Sequence, residues 1–286
     1  MIPESRSGDH LGHLGQAGPL FVTGMAHSGK TELGRLLAGT PGIEVIRKAY
    51  FWTRHYGRYG DLVHPSNLAL CAVALGKDGS VGSTSADVLR IAEDLDNAGT
   101  PLSYGSLFAA IQEVDAVRAK VVQLRGLERL AASLLTDLPH ARMVHLIRDP
   151  RHLLGFSRRA GRIGRRGWDL ATWAQSARLA IVNQDRFGDR YWVLPWEQLT
   201  HDPSGVLDRV VDILGFETQP GGRSPEIAPD SKESPPPAWF VPVLEDLVAE
   251  EMRDLGYAAA AGPPPFLSGL VDRTVFRTRV RFAQAR

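Results

Sequence analysis

The residue types in this sequence that are best suited to chemistry lie in one short stretch near the amino terminus. Residues 24–31 read Gly-Met-Ala-His-Ser-Gly-Lys-Thr and match the spacing G-x-x-x-x-G-K-[ST] at every position. In loops of this kind, backbone N–H groups point into a common concave nest, and the lysine adds a positive charge. The spacing therefore predicts a loop that holds a phosphate.

The flanking residues predict the elements that such a loop needs. Pro19 to Thr23 are mostly apolar and β-prone, which indicates a buried strand. Leu33, Leu36 and Leu37 recur at helical spacing, so a helix is expected to begin where the loop ends. The dipole of that helix adds partial positive charge at the loop. This context disfavours the alternative of a chance match in an ordinary strand-to-helix turn.

A second candidate is an arginine at the end of another apolar run. Met143 to Ile147 predict a buried strand, and Arg148 follows it directly. Asp149 and Pro150 suit the N-cap and the first turn of a helix. Ligands of open α/β sheets gather at the carboxyl ends of the strands, and an arginine that ends a buried strand needs an anionic partner. We therefore expect Arg148 to bind an anion.

Residues 47–60 mix basic and aromatic side chains and fit neither the helix nor the strand pattern. Cationic and aromatic groups together can bind a polar ring or an anionic ligand through charge and stacking. A surface loop whose aromatic side chains pack into the core is an equally good interpretation. Under the first interpretation, the candidate substrate-binding residues are Arg47, Tyr50, Trp52, Arg54 and His55.

The composition limits the class of protein. The chain of 286 residues is 43% hydrophobic and 23% charged, a composition typical of a globular protein. Its formal net charge of +1 argues against a protein that binds duplex nucleic acid. No apolar stretch approaches the roughly 18 residues that span a bilayer, and residues 1–18 lack the apolar core of a signal peptide. We expect a cytoplasmic protein with a disordered segment at residues 1–18. The single cysteine, Cys71, is expected to be a buried apolar side chain, and the sequence shows no metal-ligand set.

Alternating strand and helix patterns predict an α/β fold, a single domain with a mainly parallel central sheet flanked by helices. Further strands are expected at residues 43–46 and 191–199, with regular pairing ending at Pro195. Residues 218–238 hold six prolines and predict a linker or lid, while residues 258–286 combine a proline spacer with a basic tail of period-2 strand pattern. Helices are expected over residues 68–76, 84–97, 102–117, 126–137, 168–185, 202–214 and 238–255.

Three segments, taken in order, resemble the signatures of the sulfotransferase family that uses 3′-phosphoadenosine 5′-phosphosulfate (PAPS). Residues 27–31 are similar to its basic-Ser-Gly-Thr-Thr loop, and residues 148–151 to its Arg-Asp-Pro-Arg motif at a strand end. The resemblance runs from residue 19 to 257 and implies a P-loop-NTPase-like sulfotransferase fold. The third signature, Arg-Tyr-Glu-Asp-Leu followed by Asp-Pro and Phe-Leu-Gly, is similar to residues 195–199, 202–203 and 213–215, and further likeness lies at residues 118–120 and 255–257.

The resemblance implies transfer of a sulfuryl group from PAPS to a hydroxyl or amine of a small-molecule or glycan acceptor, by in-line displacement and without a metal. The glycine loop would hold the 5′-phosphosulfate and Arg148 the 3′-phosphate, where a guanidinium fork suits phosphate geometry. Trp196 stands in place of a family tyrosine and would flank the adenine. The implied nucleotide-binding residues are Gly24, His27, Ser28, Gly29, Lys30, Thr31, Arg148, Ser157 and Trp196.

The sequence departs from the family pattern in three places. His27 replaces a lysine or arginine and Lys30 replaces a threonine, so stabilisation of the leaving group, the catalytic role, falls to Lys30, His27 or both. Phe156 occupies the usual position of the serine that binds the 3′-phosphate, and Ser157 follows one residue later. The family's glutamate base near the second strand is missing. The alternatives for a base are Glu44, His55 and Asp61.

Two other functions fit parts of the sequence. A small-molecule kinase would use Lys30 on the β/γ-phosphates of ATP and Thr31 on magnesium, with Asp149 as a second acid. This interpretation leaves the second and third signatures unexplained. A non-catalytic scaffold would keep the nucleotide pocket and bind a partner, because fold resemblance alone does not guarantee activity.

Overall fold

Five parallel strands form the centre of the fold in the computed structural model, which describes residues 18–47, 51–78, 83–113, 119–153, 163–215, 227 and 240–258. The order across the sheet is β2-β3-β1-β4-β5, and every neighbouring pair is parallel. The carboxyl ends of all five strands therefore lie at one edge. The strands are β1 (Leu20–Gly24), β2 (Ile43–Ile46), β3 (Ala119–Gln123), β4 (Arg142–Ile147) and β5 (Tyr191–Pro195).

Twelve α-helices of the described residues surround this sheet. No described helix is long and apolar enough to cross a membrane. The helices are α1 (Lys30–Ala38), α2 (Phe51–Arg54), α3 (Pro65–Asp78), α4 (Ser85–Asn97), α5 (Tyr104–Glu113), α6 (Ala131–Asp137), α7 (Pro150–Leu153), α8 (Ile163–Phe187), α9 (Trp196–His201), α10 (Pro203–Ile213), α11 (Phe240–Leu247) and α12 (Ala249–Asp254).

Both faces of the sheet are covered, and the central strands β1 and β4 are accordingly mostly apolar. On one face, Leu33 of α1 and Val210 of α10 pack with Leu20 and Val22 of β1. On the other face, Phe21 of β1 belongs to a second core with helices α2 to α6. Alternate residues of β1 thus enter different cores, as the period of a strand requires.

The predicted fold class is confirmed, and so are the strand at residues 43–46 and the burial of Cys71. The strand predicted over residues 191–199 pairs only as far as Pro195, where the sequence indicated that regular pairing ends, and residues 196–199 are helical instead. The strand ends at Pro195, which has φ −62° and ψ 135° and serves as the N-cap of α9. Proline cannot donate to the ladder, and its extended backbone redirects the chain into the helix.

Other differences concern elements whose local signal is weak. The strand β3, Ala-Lys-Val-Val-Gln, has only two large apolar residues and was not predicted. The short helix α2 was missed as well, and the expected helix over residues 238–255 is two helices that meet at Val248. The expected helix over residues 126–137 begins instead as a 3₁₀ turn (Leu127–Arg129) ahead of α6.

Some predictions fall on parts of the chain that lie outside the described residues. They include Tyr50, Ser157, residues 1–17 and residues 259–286. Of the proline-rich stretch at 218–238, the structure describes Ile227 alone.

Candidate functional site

The loop between β1 and α1 is shaped by backbone conformations that favour glycine. Gly24 has φ +136° and Gly29 has φ +99°, and His27 is the one non-glycine residue of the described chain in this region, with φ +63°. A Cβ on Gly24 would lie 2.3 Å from the carbonyl oxygen of Leu146. The loop therefore wraps tightly against β4, and its positive φ values are of the kind found in loops whose backbone N–H groups bind anions.

The side chain of Ser28 lies inside this loop. It is 1% exposed, and its hydroxyl has no hydrogen-bond partner among the described residues. An unsatisfied buried hydroxyl costs about 1–3 kcal/mol, so such a group is suited to a ligand that accepts its hydrogen bond. The oxygen of a phosphate or sulfate meets this requirement, which makes the loop a fitting site for an anion.

Lys30 begins α1, and its ammonium group folds back to donate a hydrogen bond to the backbone oxygen of Met25. Burial lowers the pKa of Lys30 from 10.5 to about 8, against an opposing effect of the Glu128 carboxylate. The lysine is therefore charged at neutral pH, close to the point at which it titrates.

Arg148 lies at the carboxyl end of β4 and is only 3% exposed. Its guanidinium donates to the backbone oxygen of His27 at 3.3 Å, and its carbon lies 5.0 Å from the ring centre of Trp196. Its own backbone oxygen accepts a hydrogen bond of 2.8 Å from the indole N–H of Trp173. The arginine is thus held against the loop by contacts from two other elements.

The residues that follow Arg148 fix its position in the fold. Arg151 donates to both carboxylate oxygens of Asp149, at 2.6–3.0 Å, and to Glu245 of α11 at 2.9 Å. The backbone N–H of Asp149 donates to Glu197 at 3.0 Å, and the hydroxyl of Tyr257 donates to the other oxygen of Glu197 at 3.1 Å. The Asp149 carboxylate is therefore occupied by Arg151, which disfavours its use as a magnesium ligand.

These groups surround a polar cavity of about 110 Å³ at the carboxyl edge of the sheet. Two of its side chains, Lys30 and Arg148, are cations at neutral pH, and only Glu32 adds an acid to the lining. The cavity is lined by His27, Gly29, Lys30, Thr31, Glu32, Arg148 and Trp196. The structure thus brings together the loop, the arginine and the tryptophan that the sequence singled out.

A sequence profile of the sulfotransferase family matches residues 19–220, which include the loop, Arg148 and Trp196. The chain belongs to the sulfotransferase family. No curated protein matches it in a sequence search.

A comparison with solved structures also matches sulfotransferases, all at low sequence identity. The sulfotransferase domain of the Synechococcus PCC 7002 olefin synthase is 18% identical, with 93% of this chain and 94% of that chain covered and a TM-score of 0.46. A sulfotransferase from Alicyclobacillus acidocaldarius is 17% identical, with 91% and 99% covered and a TM-score of 0.48. A sulfotransferase from Mycobacterium tuberculosis is 15% identical, with 92% and 76% covered and a TM-score of 0.44.

Among the described residues predicted to bind the acceptor, Trp52, Arg54 and His55 do not line the cavity. Trp52 is 1% exposed and packs against Phe21, with ring centres 6.1 Å apart, so this aromatic residue of the stretch belongs to the core. The hydroxyl of Tyr56, one turn later, donates to Asp137 at 2.8 Å. Because Asp137 precedes β4, this end of the stretch lies toward the amino ends of the strands, away from the loop.

His55 and Arg54 belong to a separate polar cluster. Both contact the carboxylate of Asp78, at 3.0 Å and 2.6 Å, and the other ring nitrogen of His55 lies 2.8 Å from the hydroxyl of Tyr59. Of the predicted acceptor residues, Arg47 is exposed and directly follows β2, at the same edge of the sheet as the loop. The candidate bases Glu44 and Asp61 are both exposed.

Sequence reasoning missed Glu128, whose carboxylate lies behind the loop. It is 6% exposed, accepts a hydrogen bond from Thr23, and its charge acts on Lys30. The available signal was Gly126, which has φ +90° and turns the chain directly after β3. Gly126 indicates the position of Glu128 only once β3 is known to lie beside β1. Within the described ranges, no three His, Cys, Asp or Glu side chains are grouped as a metal site requires.

Proposed function

We propose that this protein transfers the sulfuryl group of PAPS to a hydroxyl or amine of a small-molecule or carbohydrate acceptor. The observation that supports this proposal is the approach of two anion-binding groups to one cavity, the loop with Ser28 and the buried Arg148. PAPS carries an anionic group on both sides of its ribose, a 5′-phosphosulfate and a 3′-phosphate. ATP lacks the 3′-phosphate that we assign to Arg148.

The loop residues are the proposed partners of the 5′-phosphosulfate. Backbone N–H groups from Gly24 to Thr31, together with the Ser28 hydroxyl, supply donors, and the start of α1 adds its dipole. Arg148 is the proposed partner of the 3′-phosphate, to which a guanidinium can donate two parallel hydrogen bonds. Ser157, outside the described residues, remains a proposed second donor to that phosphate.

The reaction is an in-line displacement at sulfur. The acceptor oxygen or nitrogen forms a bond to sulfur while the bond from sulfur to the bridging phosphate oxygen breaks, and 3′-phosphoadenosine 5′-phosphate (PAP) leaves. Lys30 and His27 line the cavity and would neutralise the charge that develops on the bridging oxygen. A base takes the proton of the acceptor, and Arg47, exposed after β2, is a proposed contact for a polar acceptor.

Titration calorimetry with PAP and, separately, with ADP plus magnesium tests the donor. We expect PAP to bind at least about tenfold more tightly, a difference of about 1.4 kcal/mol. Arg148→Ala should remove that preference. Arg209→Ala is the matched control, because Arg209 also stacks on a tryptophan, 4.2 Å from the Trp192 ring, but does not line the cavity.

Turnover is tested separately with sulfur-labelled PAPS and a panel of alcohols, amines and sugars. Transfer of the label to any of them supports the proposal. Tighter binding of ADP with magnesium than of PAP would instead favour a kinase, and PAP binding without transfer to any acceptor class would favour a scaffold.

A further inference from the structure

Trp196 contacts both anion-binding parts of the cavity at once. A Cβ built on Gly29 would lie 2.1 Å from Cε3 of the indole, so the ring lies directly against the loop backbone. The same ring lies 5.0 Å from the guanidinium carbon of Arg148. At 7% exposure the indole is almost fully buried between them.

The position of this ring is itself fixed by the fold. Pro195 ends β5, and Trp196 is the first residue of α9. The ring packs in the same core as Leu199 and Val206, on the face of the sheet covered by α1. The indole is therefore a rigid surface on which a more flexible side chain can be ordered.

Arg148 is such a side chain. A free arginine loses up to about 2 kcal/mol of rotamer entropy when it is fixed in one conformation. Stacking on a tryptophan contributes about 0.5–2 kcal/mol, the more so where water is excluded, and leaves the N–H groups at the guanidinium edge available for other partners. One of these N–H groups donates to the backbone oxygen of His27 at 3.3 Å, which aligns the guanidinium with the loop.

We propose that Trp196 is a positioning residue that holds the Arg148 guanidinium against the loop and thereby selects nucleotides that carry a 3′-phosphate. This inference rests on the proposed use of PAPS. It differs from the role that the family resemblance implies for this position, a contact with adenine. A contact with adenine strengthens the binding of every adenine nucleotide, whereas positioning of Arg148 strengthens only the binding of those with a 3′-phosphate.

The test compares two ligands that differ in this one group, PAP and AMP, by titration calorimetry. The ratio of their dissociation constants measures selectivity for the 3′-phosphate. In Trp196→Ala we expect PAP binding to weaken about 3- to 30-fold, the range that corresponds to the stacking energy, while AMP binding changes less than about twofold. Trp196→Phe, which keeps an aromatic face, should recover a large part of the ratio.

A double-mutant cycle separates positioning from a direct contact. If Trp196 acts through Arg148, adding Trp196→Ala to Arg148→Ala leaves the PAP to AMP ratio where Arg148→Ala alone placed it. Trp192→Ala is the matched control, because Trp192 of β5 belongs to the same core as Trp196 and stacks on an arginine, Arg209, but does not line the cavity. Its ratio should equal that of the unmodified protein, and thermal melting shows that each variant is folded.

Three results would overturn the inference. Equal weakening of PAP and AMP in Trp196→Ala would assign the ring to the adenine, and unchanged dissociation constants for both ligands in a folded variant would show that the ring takes no part in nucleotide binding. A further loss of ratio in the double variant would show that Trp196 acts independently of Arg148. If the unmodified protein binds PAP and AMP equally, the proposed donor itself is wrong, which is a separate and recognisable outcome.

Discussion

The hydroxyl of Thr23, on β1 just before the loop, donates a hydrogen bond to the carboxylate of Glu128. Both side chains are buried, on strands and turns more than a hundred residues apart in sequence. The carboxylate also opposes the effect of burial on Lys30. A negative charge fixed behind the loop thus keeps the lysine charged in a place that disfavours charge.

The first prediction concerns the pH dependence of nucleotide binding. Lys30 has its pKa lowered to about 8, so its ammonium form is lost as the pH rises through that value. We expect the affinity for PAP to be constant from pH 6.5 to 7.5 and to fall about tenfold by pH 9.5. Titration calorimetry across this range measures it. Lys30→Arg stays charged throughout, so its profile should lack the alkaline fall, and a fall in both proteins would assign it to another group.

A second prediction follows from the charge of Glu128. Glu128→Gln keeps the size and an acceptor for Thr23 but removes the negative charge, so the pKa of Lys30 should move further below about 8. The alkaline fall in PAP affinity should then shift to lower pH, by about 0.5–1 unit. Glu44→Gln removes an exposed carboxylate on β2 and serves as the control. Equal profiles for Glu128→Gln and the unmodified protein would contradict the coupling.

The loop and Arg148 could be predicted from the sequence because each depends on short-range patterns. A glycine loop between an apolar strand and an apolar helix face is encoded within 19 residues, from Pro19 to Leu37. An arginine that ends an apolar run is equally local. The edge of a parallel sheet then brings the two together, whatever the intervening chain does.

Glu128 and Trp196 could not be assigned in the same way. Glu128 is placed by the pairing of β3 with β1, where Leu20 lies beside Val121, and β3 has too few apolar residues to stand out. The stacking of Trp196 on Arg148 joins the ends of β4 and β5, which are 48 residues apart. Trp52 shows a local pattern that was misleading. Its basic neighbours in the sequence suggested a binding surface, but its side chain is buried in the core.

The third prediction concerns stability. A cation whose pKa is lower in the folded than in the unfolded state reduces the free energy of unfolding. The reduction is complete at pH values below the folded-state pKa, and it disappears as the pH rises toward the unfolded-state pKa. For Lys30 the two values are about 8 and 10.5. Lys30→Met keeps the apolar stem, so at pH 7 it should raise the free energy of unfolding, by roughly 1 kcal/mol after the loss of the hydrogen bond to Met25.

Urea denaturation at several pH values measures this difference. The advantage of Lys30→Met should be greatest below pH 8 and should shrink between pH 8 and 10.5, while PAP binding is weakened at every pH. Lys77→Met, at an exposed position near the end of α3, is the control and should change stability little at either pH. If Lys30→Met is less stable than the unmodified protein at pH 7, the hydrogen bonds and charges around the ammonium outweigh the cost of burying it.

The last prediction separates two reasons for glycine at position 29, the positive φ of the backbone and the lack of space for a side chain beside Trp196. Gly29→Ala introduces a methyl group at φ +99°, where it would meet the indole of Trp196 at 2.1 Å. Gly99→Ala has a comparable backbone, φ +68°, but meets nothing within 4 Å, so it carries the cost of the left-handed conformation alone, about 1–2 kcal/mol. In urea denaturation, Gly29→Ala should destabilise the fold by more than Gly99→Ala. It should also weaken PAP binding at least tenfold, because the displaced indole no longer supports Arg148. Equal losses of stability, with PAP binding retained, would show that the loop and Trp196 move apart at little cost.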